Sequence, residues 1–276
     1  MFTTLRRVRR SLSDLSSNQK YLAYAIGEIL LVVLGILIAL QINNWNEERL
    51  EKRQIKIYLN GLVEALEDDI RYMNYTISGN IFRTECIDQL LLWTRGERSK
   101  VIEPLRYERE VTSDYFVNHI GWTNPWLEDM PDAYDREFIS ECILRTSFGN
   151  IVVINQATFE EFKFSGLFSY ISEEKLKKMI NDYYAKVNWN FSDWRETQYR
   201  TRIDQWEDYF RQNHEFNNID ISGMDDPLGF LIKHKDVQLE LEDLALDASS
   251  RVNISGNIRQ SARELIEAIH EHVEQM

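Results

Sequence analysis

A single carboxylate interrupts a long apolar run near the start of the chain. Of the 22 residues from Tyr21 to Ile42, 13 are Leu, Ile or Val, and Glu28 is the one residue with a charged side chain. An ionisable group in such a run has three uses. In the first, the protonated group hydrogen-bonds across a helix–helix contact. In the second, it recognises a different membrane protein. In the third, it lines a path for ions or protons in an oligomer. The residues around Glu28 leave these three interpretations open.

Small residues lie beside Glu28 at helical spacing. Four of them fall at multiples of four and therefore share one helix face: Ala23, Gly27, Gly35 and Ala39. Small residues spaced in this way let two helices in a membrane approach closely. Glu28 lies at the edge of this face, and Gln41 adds an amide towards the end of the run. We therefore predict that the segment self-associates through these residues.

The two cysteines of the chain, Cys86 and Cys142, are far apart in the sequence. If both lie on the exported side of a membrane, they are in a compartment where disulfides persist. A bridge would join the first long helix to a later one, provided that the two Cα atoms lie within about 7 Å of each other. Two buried free thiols are the alternative.

An aromatic and acidic segment, GWTNPWLEDMPDAYD, occupies residues 121–135 and contains Trp122, Trp126 and Tyr134. Aromatic rings beside carboxylates are able to bind a cationic ligand. The alternative is a loop that its own aromatic side chains pack against the domain. The segment is therefore a candidate ligand loop and, equally, a candidate structural loop.

No arrangement that is typical of a metal site or an enzyme stands out in the sequence. The rings of His270 and His272 are two residues apart, so they would point away from each other on a helix. There is no H-E-x-x-H motif and no cysteine pair at ligand spacing. We therefore expect no metal, no cofactor and no catalytic residues.

The apolar run is long enough to cross a bilayer as a helix. Its length corresponds to roughly 33 Å, about the thickness of a hydrocarbon core. Its Leu, Ile and Val residues contribute about −4 to −8 kcal/mol to insertion, whereas one acidic group near the centre costs about 3 kcal/mol. The free energy of insertion therefore remains favourable despite Glu28. The sequence QINNWNEE that follows is no signal-peptidase site, so we expect an uncleaved anchor.

The distribution of charge predicts the orientation of the anchor. Residues 1–20 carry five basic side chains and one acidic one, a net charge of +4. Residues 44–276 carry 27 basic and 43 acidic side chains, a net charge of −16. Because short basic flanks stay in the cytoplasm, we predict a cytoplasmic tail at 1–20, a transmembrane helix at 21–43 and an extracytoplasmic domain at 44–276. Such an acidic domain repels phosphates, so we expect no nucleic acid partner.

Proline placement and apolar periodicity predict an all-α protein. None of the four prolines lies in the first 103 residues or between 132 and 226, which leaves room for long helices. Apolar residues, Ile70 among them, recur at spacings of three and four from Ile55 to Ile77, which predicts one helix from about 20 to 95 that Gly96 stops. We expect further helices over 105–119, 134–148, 155–165, 172–212 with Ser172 as N-cap, and 234–274, and a loop over 217–229. Together they predict a single transmembrane helix that continues into an elongated helical bundle.

Two segments resemble a family of uncharacterised bacterial single-pass membrane proteins, usually described as a domain of unknown function. The first is YAIGEILLVVLGILIALQINNWNEE, residues 24–48, which matches the family pattern almost residue for residue. The second is FEEFKFSGLFSYISEEKLKKMINDYY, residues 159–184, where the family usually has Leu at the position of Phe162. The resemblance implies an inner-membrane protein of Gram-negative-type bacteria, and it implies no particular activity.

Two functions of different classes fit these patterns. The first is a non-enzymatic, membrane-anchored helical protein that self-associates and serves as a scaffold, a sensor or a regulatory subunit of a membrane complex. The alternative is an oligomeric ion or proton channel, or a proton-coupled device, with Glu28 facing a wet axis. The expected partners are the lipid bilayer, further copies of the chain and another membrane protein.

Overall fold

The computed structural model describes residues 17–97, 131, 133–146, 152, 154–214 and 225–276. These residues form seven α-helices and one short 3-10 helix without any β-strand, which confirms the predicted all-α class. The α-helices are α1 (Ser17–Thr94), α2 (Arg136–Thr146), α3 (Ala157–Phe164), α4 (Glu174–Asn190), α5 (Asp193–His214), α6 (Pro227–Lys233) and α7 (Lys235–Gln275), and the 3-10 helix is Leu167–Tyr170. Most of the basic tail and the helix expected over 105–119 lie outside the described residues.

The chain divides into two compact units, Met1–Lys56 and Ile57–Met276. Helix α1 begins in the first unit and ends in the second. In the first unit, every side chain from Ala25 to Leu50 is exposed. In the second unit, the remaining helices and the later part of α1 bury a long core.

Helix α1 ends where the sequence predicts. Gly96 has a φ of 71°, a left-handed conformation that glycine adopts without strain. The backbone N–H of Gly96 donates to the carbonyl of Trp93, and that of Glu97 donates to the carbonyl of Leu92, both at 3.0 Å. This pair of bonds is a Schellman motif, which satisfies carbonyls that the end of a helix leaves open.

From Leu59 to Leu90, α1 places a side chain in the core after alternating steps of three and four residues. Ten side chains that are at most 2% exposed form this face: Leu59, Leu62, Leu66, Asp69, Met73, Thr76, Asn80, Arg83, Ile87 and Leu90. Such spacing is typical of helices in a coiled coil. The predicted apolar face was therefore wrong at Ile70, which is only partly buried because the repeat places Asp69 in the core instead.

Helix α7 shows the same alternation over 41 residues, a length of roughly 60 Å. Its core side chains are at most 7% exposed: Val237, Leu241, Leu244, Ala248, Arg251, Ser255, Ile258, Ala262, Leu265, Ile269 and His272. Two long helices of the second unit thus present matching repeats to a shared core, and both repeats contain polar residues.

Hydrogen bonds from α1 to the later helices give their directions. The partners of Asp69 and Arg83 lie 114 and 116 residues further along the chain, in α4 and α5. This nearly constant separation means that α4 and α5 run parallel to α1. The partners of Asn74 and Arg95 lie 185 and 147 residues further along, both in α7. A separation that shrinks along α1 means that α7 runs antiparallel to it.

The helix expected over 172–212 is instead two helices, α4 and α5, which are separated at Phe191 and Ser192. The carbonyl of Ser192 accepts from the N–H of Glu196 at 2.9 Å, and an acidic first turn suits a helix start. The N-cap of α4 is Glu173 rather than the predicted Ser172, because the first helical bond runs from the N–H of Lys177 to the carbonyl of Glu173. Local start signals therefore divide a segment that we predicted to be one helix.

Helices α2 and α6 pack with the C-terminal part of α1 and the N-terminal part of α7 in one apolar cluster. The loop expected over 217–229 is helical at its end, since α6 begins at Pro227. Asp226 caps α6, because its Oδ1 accepts from the backbone N–H of Gly229 at 2.9 Å. An acidic cap followed by proline at the first helical position is a strong start signal.

Candidate functional site

The N-terminal part of α1 has the length and composition of a membrane span. Among the described residues, α1 is the one helix that is long and apolar enough to cross a bilayer. A window near its start has a mean hydropathy of 2.5 and buries none of its residues. Glu28, Ala39 and Gln41 are exposed on this helix.

The small residues of α1 leave its backbone open. Beyond the chain neighbours and the adjacent helix backbone, a Cβ added to Gly27 or to Gly35 would meet no described atom within 4 Å. Ala23 lies in α1 as expected, and its side chain is outside those described. The surface of α1 is therefore open at Gly27 and Gly35, as a close helix–helix contact requires.

The candidate ligand loop is described only near its end. Trp122 and Trp126 lie outside the described residues. Tyr134 is 47% exposed, and its ring centroid lies 6.4 Å from that of Trp93 in α1. Tyr134 thus contacts an aromatic side chain of the bundle.

Cys86 of α1 and Cys142 of α2 form a disulfide, with the two Cα atoms 5.4 Å apart. Both side chains are completely buried in the apolar cluster that α1, α2, α6 and α7 share. The sequence left a bridge and two free thiols as alternatives, and the structure joins the two residues.

A layer of polar side chains crosses the core of the second unit. Arg251 of α7 donates from Nη1 and Nη2 to the two carboxylate oxygens of Glu196 in α5, both at 2.7 Å. Both side chains are about one-tenth exposed. Burial works against the charged guanidinium, yet the hydrogen bonds and the charge of Glu196 outweigh it and raise the pKa of Arg251. This bidentate pair joins α5 to α7 inside the bundle.

Tyr199 of α5 connects this pair to α1. The guanidinium carbon of Arg251 lies 3.9 Å from the centroid of the Tyr199 ring, a cation–π contact. The hydroxyl of Tyr199 accepts from Nη1 of Arg83 at 2.8 Å and donates to Oδ1 of Asn80 at 3.4 Å. The polar layer therefore contacts α1, α5 and α7.

A buried acid lies in a separate part of the same core. Asp69 is 1% exposed, and its Oδ2 accepts from the hydroxyl of Tyr183 at 2.7 Å. Burial raises the pKa of Asp69 to about 6, although the hydrogen bonds from Tyr183 and from the backbone of Asn155 lower it. Burial, together with the charge of Asp69, also raises the pKa of the neighbouring Tyr184. Asp69 is thus a buried carboxyl group whose pKa of about 6 lies well above its usual range.

The described surface of the second unit has fewer candidate functional groups than its core. A groove between α4 and α7 is lined by Lys186, Asn190, Asn257 and Ser261, among others. The ammonium of Lys186 already donates to Ser261 Oγ at 3.0 Å, which crosses the groove. In the part of the chain that is described, no group of three His, Cys, Asp or Glu side chains is placed to hold a metal ion.

Sequence reasoning singled out none of the buried polar residues Asp69, Arg83, Glu196, Tyr199 and Arg251. A signal for those in α1 and α7 was present in the alternation of three and four residues, which continues through them. The alternation of three and four residues along α1 predicts core positions at Asp69 and Arg83, which the apolar residues alone do not mark. Their partners in α4 and α5 lie more than 110 residues away, where no spacing rule reaches.

A sequence model of a family of unknown function, DUF6090, matches residues 28–90. The matched segment lies within α1, and it includes Glu28 and the core face with Asp69 and Arg83. This part of the chain is therefore similar to an uncharacterised domain. No curated protein and no solved structure matches the chain.

Proposed function

We propose that the chain is a membrane-anchored helical protein that self-associates and serves, without enzymatic activity, as a scaffold, a sensor or a regulatory subunit of a membrane complex. The observation that carries this proposal is a contrast along α1. The apolar side chains from Ala25 to Ile42 are exposed, whereas ten core positions from Leu59 to Leu90 are at most 2% exposed. An exposed apolar helix of this length is far more stable in a bilayer than in water.

Charge and the disulfide support an orientation for the anchor. The net charge of +4 on residues 1–20 favours their retention in the cytoplasm. The disulfide between Cys86 and Cys142 favours an oxidising compartment for the second unit. With the resemblance of residues 24–48 to a bacterial family, these features favour an inner-membrane protein whose residues 44–276 are periplasmic.

A reporter fusion tests the anchor and its orientation together. Alkaline phosphatase fused after Met276 should be active in a Gram-negative host, because this enzyme folds only where disulfides form, and the fusion should resist carbonate extraction. The control replaces Leu31 and Leu34 with Arg, each of which costs insertion about 3 kcal/mol, and it should lose both properties. An inactive or extractable wild-type fusion would reject the proposed topology.

Glu28 separates the proposed function from the channel alternative. Glu28→Gln keeps the size and hydrogen-bonding capacity of the side chain but removes its ionisation. We expect the variant to insert and self-associate like the wild type, and we expect no conductance from either protein in planar bilayers. A proton or ion current in the wild type that disappears in Glu28→Gln would favour the channel.

A further inference from the structure

A basic face lies on α1 shortly after the apolar run ends. It consists of four exposed side chains: Arg49, Lys52, Arg53 and Lys56. Each of them is three or four residues from two of the others, so all four fall within about 100° around the helix axis. They belong to the first compact unit, which ends at Lys56. The last turns of this unit therefore present positive charge on one side.

The acidic side chains of the same turns do not neutralise this face. Glu47 and Glu51 are each two residues from Arg49 and therefore lie on the other side of the helix. Glu47 accepts from Nδ2 of Asn43 at 2.7 Å. Among the described residues, no carboxylate forms an ion pair with any side chain of the basic face. Like charges three and four residues apart repel each other on a helix, so the face favours a negatively charged partner.

Trp45 lies one turn before Arg49 on the same side of α1. Its side chain is 62% exposed, and the guanidinium carbon of Arg49 lies 6.0 Å from the centroid of its ring. Trp45 follows Ile42, where the apolar run ends, by about 5 Å along the helix axis. Tryptophan is enriched at this depth because its ring suits the boundary between acyl chains and headgroups. Trp45 therefore has the position and exposure of an interface residue.

The spacing along α1 places part of the basic face close to lipid phosphates. The headgroup layer is about 5–8 Å thick on each side of a bilayer. Arg49 follows Ile42 by about 10 Å, and Lys52 and Arg53 follow it by about 15–17 Å. Long basic side chains near the end of a span extend back towards the interface. The potential of an anionic surface reaches about 10 Å into solution, so Arg49 is placed for contact and Lys52 and Arg53 for attraction.

We propose that Trp45 and the basic face bind the headgroups of anionic phospholipids in the leaflet where α1 leaves the bilayer. The guanidinium of Arg49 donates to phosphate oxygens, and the ring of Trp45 lies among the headgroups. Lys52 and Arg53 add attraction, and Lys56, which is farthest from the apolar run, adds least. This site rests on the membrane anchor of the proposed function, and it depends neither on orientation nor on self-association.

Retention of lipid by the full-length protein tests the site. The protein in detergent is mixed with equal amounts of phosphatidylglycerol and phosphatidylcholine that have the same acyl chains, and native mass spectrometry counts the lipids retained. The wild type should prefer phosphatidylglycerol by at least about fivefold, the effect of one basic side chain near the headgroups. Changing Arg49, Lys52 and Arg53 to Gln removes the charges but keeps good helix formers, and it should lower the preference at least about fivefold.

A control with the same loss of charge localises the effect. It changes three exposed basic side chains of the second unit to Gln: Lys175, Lys178 and Arg200. This control should keep the wild-type preference for phosphatidylglycerol. A fall as large as that of the basic-face variant would reduce the effect to net charge and overturn the proposal. Arg49→Gln alone should show part of the loss, so the test does not depend on the folding of the triple variant.

Carbonate extraction separates failure of this site from failure of the anchor. The wild type and the basic-face variant should both resist extraction, because the apolar run is unchanged. A wild type that resists extraction but retains the two lipids equally would reject the lipid site alone. An unchanged preference in the basic-face variant would reject it as well. A wild type that carbonate extracts would reject the anchor, and the lipid site with it.

Discussion

Asp69 is the residue whose chemistry the fold changes in the most measurable way. Burial raises its pKa to about 6 from 3.8, because the ionised form loses its hydration and gains only the bonds from Tyr183 and the backbone of Asn155. The ionised form is therefore disfavoured in the folded state. The contribution of protonated Asp69 to stability is complete below pH 3.8 and is lost as the pH rises to about 6.

Asp69→Asn should flatten the pH dependence of stability. The change of pKa corresponds to about 3 kcal/mol of unfolding free energy, which the wild type should lose between acidic and neutral pH and the variant should retain. Urea denaturation of the full-length protein at a series of pH values measures this difference. Asp68→Asn alters the exposed neighbouring carboxylate, which pairs with Arg71, and is the matched control. Parallel pH profiles for wild type and Asp69→Asn would show that Asp69 does not titrate in this range.

At the scale of the helices, the pair of Glu196 and Arg251 fixes α5 against α7. Glu196→Gln leaves the guanidinium of Arg251 buried beside a neutral amide, so it should lower the free energy of unfolding by about 3–5 kcal/mol. Glu242→Gln breaks the exposed pair of Arg95 and Glu242 and should cost less than about 1 kcal/mol. Chemical denaturation measures both variants. Similar small losses would mean that the buried pair does not hold the two helices together.

The disulfide holds α2 to α1. Cys86 and Cys142 are 56 residues apart, and closing a loop of this length stabilises the folded state by about 4 kcal/mol in the chain-entropy model. The double variant with Ala at both positions should therefore unfold at markedly lower denaturant. Each single variant also lacks the bridge and should show a loss close to that of the double variant. If one single variant loses far less unfolding free energy than the other single variant and the double variant, side-chain packing rather than the bridge is responsible for the stabilisation.

The helices show what this sequence could and could not predict. The extent of α1 follows from an apolar run, a lack of proline and the glycine at 96, all of which act locally. The burial of Asp69 in place of Ile70 depends on Tyr183, 114 residues away, so the local apolar pattern does not predict it. The break between α4 and α5 has a local signal in Ser192 and Asp193, but the apolar spacing around it predicts a continuous helix. Distant side-chain pairs therefore account for the buried polar residues, whereas local start signals account for the helix boundaries that differ.

At the scale of the whole molecule, the side chains of α1 differ in exposure between the two compact units. From Ala25 to Ile42, in the first unit, α1 presents exposed apolar side chains, and in Ile57–Met276 it presents a buried face with four polar residues. The first environment is compatible with a membrane anchor, and the second is that of a helical bundle with charged groups in its core. The proposed function adds self-association through the first part of α1, which is the central claim to test.

Native mass spectrometry of the full-length protein, released from detergent micelles, tests self-association most directly. We predict more than one chain per particle for the wild type and a single chain when Gly27 and Gly35 are both changed to Leu. A Cβ at either position meets no atom within 4 Å beyond its chain neighbours and the adjacent helix backbone, so we expect the added side chains to act mainly between molecules. Ala25→Leu, two residues from Gly27 and on the other side of the helix, should keep the wild-type assembly. A single chain per wild-type particle, or an unchanged mass in the double glycine variant, would contradict the account.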